Sequence, residues 1–312
     1  MDRHESSPAP PVQPYRYDRE ATPYTHPNQI DDAAVAAFHR DGFIAVENML
    51  TLEEVKVARD ALTDLLMGRV AGFDAVTPEP EYQAVWQSLT VTERADKARK
   101  IWLFCAHESR LRYLAVAHPA ITRLLTRLCG EEVRLIQDMA LLKPAHIGKE
   151  KPWHQDAAYF NWSPPEKIIG IWIALDPATA ENGCMHAVPG THIAGPVPHT
   201  HDRDCQIPDA AVAVERDVMV PLKPGGAMLF SALVHHGTPT NTSPSARWAL
   251  QFHYAGASCV PLSPKEHGAL FFEREQYAGC RSPAMPVDTM DASPVAEPYS
   301  FTVGGDRPAS LR

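Results

Sequence analysis

The chain has 312 residues, with 29 Lys and Arg against 38 Asp and Glu and a formal net charge of −9. Its 45% hydrophobic and 21% charged residues are ordinary globular values, and no stretch approaches the roughly 18–20 apolar residues of a membrane helix. The acidic balance without a basic block also argues against a nucleic-acid partner, so we expect a soluble protein with neither nucleic acid nor membrane among its partners.

The two ends of the chain are rich in proline. Residues 1–29 contain six prolines, which cannot sustain a helix or a central strand, and we expect a tail that is disordered or wraps the surface. Residues 281–312 are predicted to be a second proline-rich tail, which leaves one domain over residues 30–280. The start of the chain lacks the charged and apolar segments of a secretory signal, so we expect a cytoplasmic protein.

The domain is predicted to begin with a helix, a strand and a second helix. Residues 30–40 follow a helical pattern that stops at Asp41-Gly42, and residues 43–46 resemble a strand. Thr51 and Glu54 form a capping-box pattern, which predicts a helix through Leu66.

Helical patterns give way to strand patterns near residue 130. Residues 74–81 break the helical pattern, residues 91–130 alternate between helical segments, and Gly130 is a natural helix end, so residues 30–130 are expected to be mostly helical. Residues 131–260 are expected to form a jelly-roll core. Its predicted strands are residues 133–142, 168–175, 218–222, 227–230 and 247–254.

The first motif with chemical meaning is His154-Gln155-Asp156. Alternate residues of an extended strand point to the same face, so an imidazole and a carboxylate two residues apart could hold one metal ion. Such a tripeptide alone is weak evidence of a metal site, because a surface histidine near a solvated aspartate gives the same sequence pattern.

A second element strengthens this interpretation. His236 is followed by Gly237 and, eleven residues further on, by Arg247 at the start of an apolar strand pattern. Two histidines and one carboxylate form the facial triad of non-haem Fe(II) oxygenases, and an arginine can clamp the distal carboxylate of a dicarboxylate. His235 competes with His236 for the third position, although strand neighbours face opposite sides.

Other histidines have simpler interpretations. His186 and His192 lie in a segment with turn signals and are expected away from the metal. His199 and His201 could bind zinc as a pair, but no fourth ligand accompanies them, and a polar loop over the barrel mouth is favoured.

The order of these motifs resembles the phytanoyl-CoA dioxygenase family of Fe(II)- and 2-oxoglutarate-dependent oxygenases. The resemblance runs roughly from Asp31 to Tyr254. It is carried by residues 38–43 (FHRDGF), 153–160 (WHQDAAYF), 169–176 (IGIWIALD) and 181–192 (ENGCMHAVPGTH). It implies a mainly β protein, a double-stranded β-helix of the jelly-roll or cupin-like type with helices packed on its outside and a helical N-terminal region.

The resemblance also implies roles for single residues. His154, Asp156 and His236 would be the iron ligands, and Arg247 would receive the distal carboxylate of 2-oxoglutarate. Five further residues would lie near the cosubstrate: Lys100, Trp172, Met139, Gln137 and Thr238. For Trp172 and Met139 a place in the core is the plainer alternative, and for Lys100 a solvated position on a helix.

The implied function is oxidation, with hydroxylation expected, of a C–H bond in a small metabolite, with release of succinate and CO₂. Fe(II), 2-oxoglutarate and dioxygen would be required, and ascorbate could support activity. The alternatives are a β-barrel that binds a metal or small ligand without redox chemistry and a metal-dependent hydrolase. The sequence leaves the oligomeric state open. The predicted loop 191–209 has Arg203 as its sole basic residue, which favours a substrate without the phosphates of coenzyme A.

Overall fold

Two antiparallel β-sheets form the centre of the fold in a computed structural model that describes residues 14–272. The strands are β1 Phe43–Val46, β2 Val76–Pro78, β3 Ala98–Trp102, β4 Val133–Lys143, β5 Lys151–His154, β6 Trp162–Ser163, β7 Ile168–Ala174, β8 Met185–Val188, β9 Val218–Val220, β10 Ala227–Ser231, β11 His235–Thr238, β12 Arg247–Gly256 and β13 Val260–Pro261. The helices are α1 Asp32–Asp41, α2 Leu52–Leu66, α3 Val91–Ala95, α4 Ser109–Val116, α5 Pro119–Cys129 and α6 Pro264–Phe271. Within the described range, no helix is long and apolar enough to span a membrane.

The larger sheet has seven strands in the order β1-β10-β7-β12-β4-β3-β2, and the smaller has four in the order β5-β11-β8-β9. Helices α1, α2, α4 and α5 pack their apolar faces on the outside of the larger sheet. The predicted double-stranded β-helix with helices on its outside is confirmed.

Strand alternation divides the residues of β12 between two environments. Leu250, Phe252 and Tyr254 point outward and join the helices in the main apolar core. Arg247 and Gln251 lie on the opposite face, toward the smaller sheet, because successive strand residues alternate in direction. The space between the sheets therefore receives polar side chains from the centre of the larger sheet.

The first part of the chain holds more strand than its patterns predict. The helix through Leu66 has its predicted capping box, in which Thr51 and Glu54 exchange hydrogen bonds. Residues 98–102, however, form β3 where helical segments were predicted, and they pair with β4. The prediction was wrong here because a five-residue run with two charges shows too little periodicity; in β3 the apolar Ile101 faces the helices and Lys100 faces the cavity.

The segment before α1 lies along the domain surface. Glu20 bridges to Met219, and Tyr24 bridges to Val46. The ring of Tyr15 is buried and stacks on Trp153 of β5 with the ring centroids 5.2 Å apart, and its hydroxyl donates to the carbonyl of Lys151 at 3.0 Å. The rest of the predicted N-terminal tail (1–13) and the end of the chain (273–312), with the predicted tail 281–312, lie outside the described residues.

We predict that Tyr15→Ala lowers the free energy of unfolding by about 3 kcal/mol, because a buried aromatic ring and its hydrogen bond are lost. Urea denaturation of the purified protein measures the change. Tyr17→Ala is the matched control, since the Tyr17 side chain is 47% exposed, and it should cost at most about 0.5 kcal/mol. Equal losses in the two variants would contradict the packing role of Tyr15.

Candidate metal centre and its cavity

The three predicted ligands come together in the structure. His154 ends β5 and lies directly opposite His236 of the neighbouring strand β11. Asp156 begins a short 3₁₀ helix, so the predicted strand does not extend to it; the intervening Gln155 is nevertheless extended, and both side chains point the same way. One ligand atom from each of the three lies within 4.8 Å of the others, and all three residues are buried.

Hydrogen bonds set both imidazoles for metal binding. Nδ1 of His154 lies 2.8 Å from the carbonyl of Pro152, and Nδ1 of His236 lies 3.0 Å from that of Val234. A carbonyl only accepts, so each Nδ1 carries a proton, and Nε2 is the ring nitrogen that each histidine turns toward Asp156 and could offer to a metal. Burial, together with the neighbouring His236, lowers the pKa of His154 to about 4, which keeps that imidazole neutral at neutral pH.

Two residues of β12 orient the carboxylate of Asp156. His253 lies with Nε2 2.7 Å from Oδ2, and the side-chain amide of Gln251 donates to the same oxygen at 3.1 Å. Burial alone would raise the pKa of Asp156, but the nearby imidazoles of His236, His253 and His154 outweigh it and hold the pKa well below its ordinary value. The carboxylate is thus ionised, with its rotation fixed by donors from the opposite sheet.

The competing histidines lie elsewhere. The described residues contain one group of three that could hold a metal ion, and His235 is outside it. Nδ1 of His186 lies 2.9 Å from Asp217, and Nε2 of His192 lies 3.0 Å from a backbone carbonyl. His199 is buried and accepts a hydrogen bond from the backbone N–H of Gln155. It therefore contacts the backbone of the metal motif and is not one of the three grouped ligands.

Arg247 is a buried cation that has no anionic partner among residues 14–272. Its side chain is 2% exposed and stacks on Trp172, with Cζ 5.0 Å from the ring centroid. Nε and Nη1 have no hydrogen-bond partner among the residues described. Burial lowers the pKa of Arg247 to about 10, so the guanidinium remains charged at neutral pH. A buried, charged, unpaired fork of donors requires an anion that can accept several hydrogen bonds.

Arg247 and the triad line the same cavity between the two sheets. Four of the other five predicted positions, Lys100, Gln137, Met139 and Thr238, also line it. Trp172 does not line the cavity; its fully buried ring stacks on the guanidinium of Arg247, which does. The interpretation of Lys100 as a solvated charge on a helix was wrong, because β3 directs it inward.

Sequence reasoning missed Gln251 and His253. Both follow Arg247 at even spacing on one strand, so alternation from a single functional residue would have placed them on the inner face. Lys151 and Tyr159 also line the cavity and were missed.

The chain is similar to proteins of a known family. The model of a family described as "Phytanoyl-CoA dioxygenase (PhyH)" matches residues 38–249. The chain belongs to the phytanoyl-CoA dioxygenase family. The peroxisomal phytanoyl-CoA dioxygenase of Rattus norvegicus is 24% identical over 274 residues, which are 82% of this chain and 77% of that protein. Phytanoyl-CoA dioxygenase domain-containing protein 1 of Rattus norvegicus is 30% identical over 168 residues, 51% of this chain and 57% of that protein.

Solved structures share the fold of this family member. EctD from S. alaskensis, solved with 2-oxoglutarate and 5-hydroxyectoine, is 26% identical with a TM-score of 0.60, covering 78% of this chain and 85% of that one. The non-heme alpha ketoglutarate dependent carbocyclase SnoK from nogalamycin biosynthesis is 22% identical with a TM-score of 0.58, covering 77% and 90%. The similarity to SnoK concerns the fold alone.

The residues of the cavity in this chain fit iron and 2-oxoglutarate. Two imidazoles and one ionised carboxylate are the donor set that would hold Fe(II) and leave room for a cosubstrate and dioxygen. The guanidinium of Arg247, unpaired within the described residues, could bind the distal carboxylate of 2-oxoglutarate.

We expect His154→Ala, Asp156→Ala and His236→Ala each to abolish tight Fe(II) binding, because each removes a donor atom from a three-residue site. His235→Ala should bind iron nearly as the unchanged protein does. Anaerobic equilibrium dialysis followed by elemental analysis measures the bound metal. Iron retention in His236→Ala together with loss in His235→Ala would move the third ligand to His235.

We also expect His253→Leu to weaken metal binding by about 10- to 100-fold, because the ligand carboxylate loses its strongest orienting donor. His253→Gln keeps an N–H donor and should recover most of the affinity. Both variants are measured in the same dialysis, with circular dichroism as the check on folding. Full affinity in folded His253→Leu would show that Asp156 needs no such support.

Proposed function

We propose that this protein is an Fe(II)- and 2-oxoglutarate-dependent dioxygenase that hydroxylates a C–H bond of a small metabolite, with release of succinate and CO₂. The observation that carries the proposal is the buried guanidinium of Arg247, unpaired within the described residues and open to the same cavity as the His154, Asp156 and His236 triad. Membership in a dioxygenase family supports it.

Each part of the cavity has a proposed task. His154, Asp156 and His236 would hold the iron, and Arg247 would bind the distal carboxylate of 2-oxoglutarate. When bound, iron and 2-oxoglutarate would supply the activation of dioxygen. Lys143 supports the Arg247 end, because it lies opposite Arg247 in the strand register and donates to Thr238 Oγ1 at 2.9 Å. Met139 and Gln137 would form a wall beside the cosubstrate, and Trp172 would hold the Arg247 fork in place.

Arg247 also separates this function from the alternatives. A metal-dependent hydrolase needs a metal-bound water and has no use for a buried arginine in the same cavity. A β-barrel that binds a metal without redox chemistry would leave the guanidinium uncompensated, at a cost that burial makes high. A dicarboxylate cosubstrate removes that cost.

The ligand set favours hydroxylation over halogenation. His154, Asp156 and His236 would hold the iron with three protein ligands, and with 2-oxoglutarate and dioxygen also bound no position would be free for a halide. Asp156 would have to be Ala or Gly to free one. Desaturation and ring closure remain compatible with the same ligands.

The composition of residues 191–209 supports a substrate without coenzyme A. Within residues 191–209, the basic Arg203 is already paired with Asp209, with two hydrogen bonds of 2.9 and 2.7 Å. This loop therefore offers no free cation for the phosphates of a CoA ester. The cytoplasmic location stays a prediction.

We predict that the purified protein, loaded with Fe(II) under air with ascorbate, converts 2-oxoglutarate to succinate, and that a substrate raises the rate. Succinate is measured by mass spectrometry, with Asp156→Ala as the inactive control. Absence of both binding and turnover of 2-oxoglutarate in the iron-loaded protein would refute the proposed function.

We further predict that Arg247→Lys raises the apparent constant for 2-oxoglutarate more than tenfold. An ammonium cannot reproduce the two-pronged contact, and loss of a buried charged partner costs about 2–5 kcal/mol. The constant is obtained from the 2-oxoglutarate dependence of succinate formation. An unchanged constant would place the distal carboxylate at Lys143 or Lys100.

A further inference from the structure

Tyr15 does not line the cavity, but it contacts the strand that carries a proposed iron ligand. Its hydroxyl donates to the carbonyl of Lys151 at 3.0 Å, and its ring stacks on Trp153. These two residues flank Pro152, whose carbonyl lies 2.8 Å from Nδ1 of His154. The peptide that orients the His154 imidazole is therefore held on both sides by one residue of the segment before α1.

The pairing of the two ligand-bearing strands is irregular at this point. His154 of β5 lies opposite His236 of β11, but Lys151 lies opposite Thr238. β5 thus takes three residue steps where β11 takes two, as in a β-bulge. A bulge leaves the extra residue unpaired and disrupts the ladder locally. The direction of the His154 side chain therefore depends on contacts from outside the ladder.

Gly237 of β11 makes room for the Tyr15 hydroxyl. A Cβ atom at position 237 would lie 2.8 Å from the hydroxyl oxygen of Tyr15, 3.0 Å from the carbonyl oxygen of Lys151 and 3.3 Å from the backbone nitrogen of Trp153. The first of these distances is shorter than a real Cβ contact allows. The hydroxyl is thus bonded to β5 and lies against the backbone of the residue that follows His236. It joins the two strands at the irregular step.

Tyr15 is itself held by buried groups that the proposed reaction does not use. Its ring meets the ring of His186 at 5.0 Å between centroids, and Nδ1 of His186 lies 2.9 Å from Oδ2 of Asp217. The same carboxylate oxygen accepts the backbone N–H of Arg16 at 2.7 Å. Burial raises the pKa of Tyr15 well above its ordinary value, so its hydroxyl keeps the proton that it donates.

We propose that Tyr15 is a positioning residue of the metal centre. Through its hydroxyl it fixes the spacing of β5 and β11, and thereby the directions of His154 and His236 toward a shared metal ion. The inference rests on the proposed function, because it concerns the iron ligands of that function. It assigns a task to the segment before α1, which supplies none of the three ligands, and it explains why a glycine follows His236: a larger residue would displace the hydroxyl.

The first test compares two tyrosines whose hydroxyls make the same kind of bond. The hydroxyl of Tyr254 donates to the carbonyl of Ala115 at 2.7 Å, on the helix side of β12. Tyr15→Phe and Tyr254→Phe each keep a buried ring and lose one hydrogen bond, so the midpoints of urea denaturation should shift by similar amounts. Tyr15→Phe should also bind Fe(II) about three- to tenfold more weakly, a smaller loss than for a direct partner of a ligand because Tyr15 acts through the backbone. Tyr254→Phe should bind Fe(II) like the unchanged protein.

Anaerobic equilibrium dialysis of the full-length proteins measures the Fe(II) affinity, and circular dichroism checks the folding. Unchanged affinity in folded Tyr15→Phe, or an equal loss of affinity in both variants, would overturn the inference, since the hydroxyl would then contribute only to general stability. If the unchanged protein itself does not bind Fe(II), the proposed function has failed and the inference fails with it.

The second test uses the contact between the hydroxyl and Gly237. Gly237→Ala places a methyl group against the hydroxyl and should weaken Fe(II) binding at least about tenfold. Tyr15→Phe removes the oxygen that this methyl group meets first, so the double variant should bind Fe(II) more tightly than Gly237→Ala alone. Independent sites would give the opposite order, because their losses add. A double variant that binds more weakly than Gly237→Ala would overturn the inference. If Gly237→Ala does not fold, the comparison of Tyr15→Phe with Tyr254→Phe decides.

Discussion

The buried carboxylate of Asp156 is the group on which the interior of this protein depends. An ionised carboxylate between two sheets would be costly without partners, and its partners come from both sheets. His154 and His236 approach from the smaller sheet, and Gln251 and His253 approach from the larger. The same contacts that prepare a metal ligand therefore also tie the two sheets together at the centre of the cavity.

Local signals in the sequence were sufficient for much of the fold. The capping box at Thr51 placed α2 to the residue, and the alternation after Arg247 placed β12. Short strands were harder, because β3, β5, β8 and β11 have four or five residues each and gain their stability from neighbours distant in the chain. The consequence was largest for Lys100, whose position on a strand decides that it faces the cavity.

In the candidate site, too, local sequence patterns were predictable and contacts between distant segments were not. The spacing of His154 and Asp156 and the order of His236 and Arg247 are local patterns, and the structure brings all four to one cavity. The ion pair of Lys151 with Asp204 joins a strand to a distant loop, and no local pattern records such a contact. Charge balance in a closed space is a property of the folded chain, so it becomes readable only when the sheets are assembled.

The stacking of Tyr15 on Trp153 has an evolutionary consequence. Trp153 immediately precedes a proposed metal ligand, and Tyr15 belongs to a segment that carries none of the triad. A smaller ring at one of these positions leaves a void beside β5 that a larger side chain at the other can fill. Positions 15 and 153 should therefore change together among relatives, and the segment before the first helix should vary more slowly than its proline-rich composition suggests.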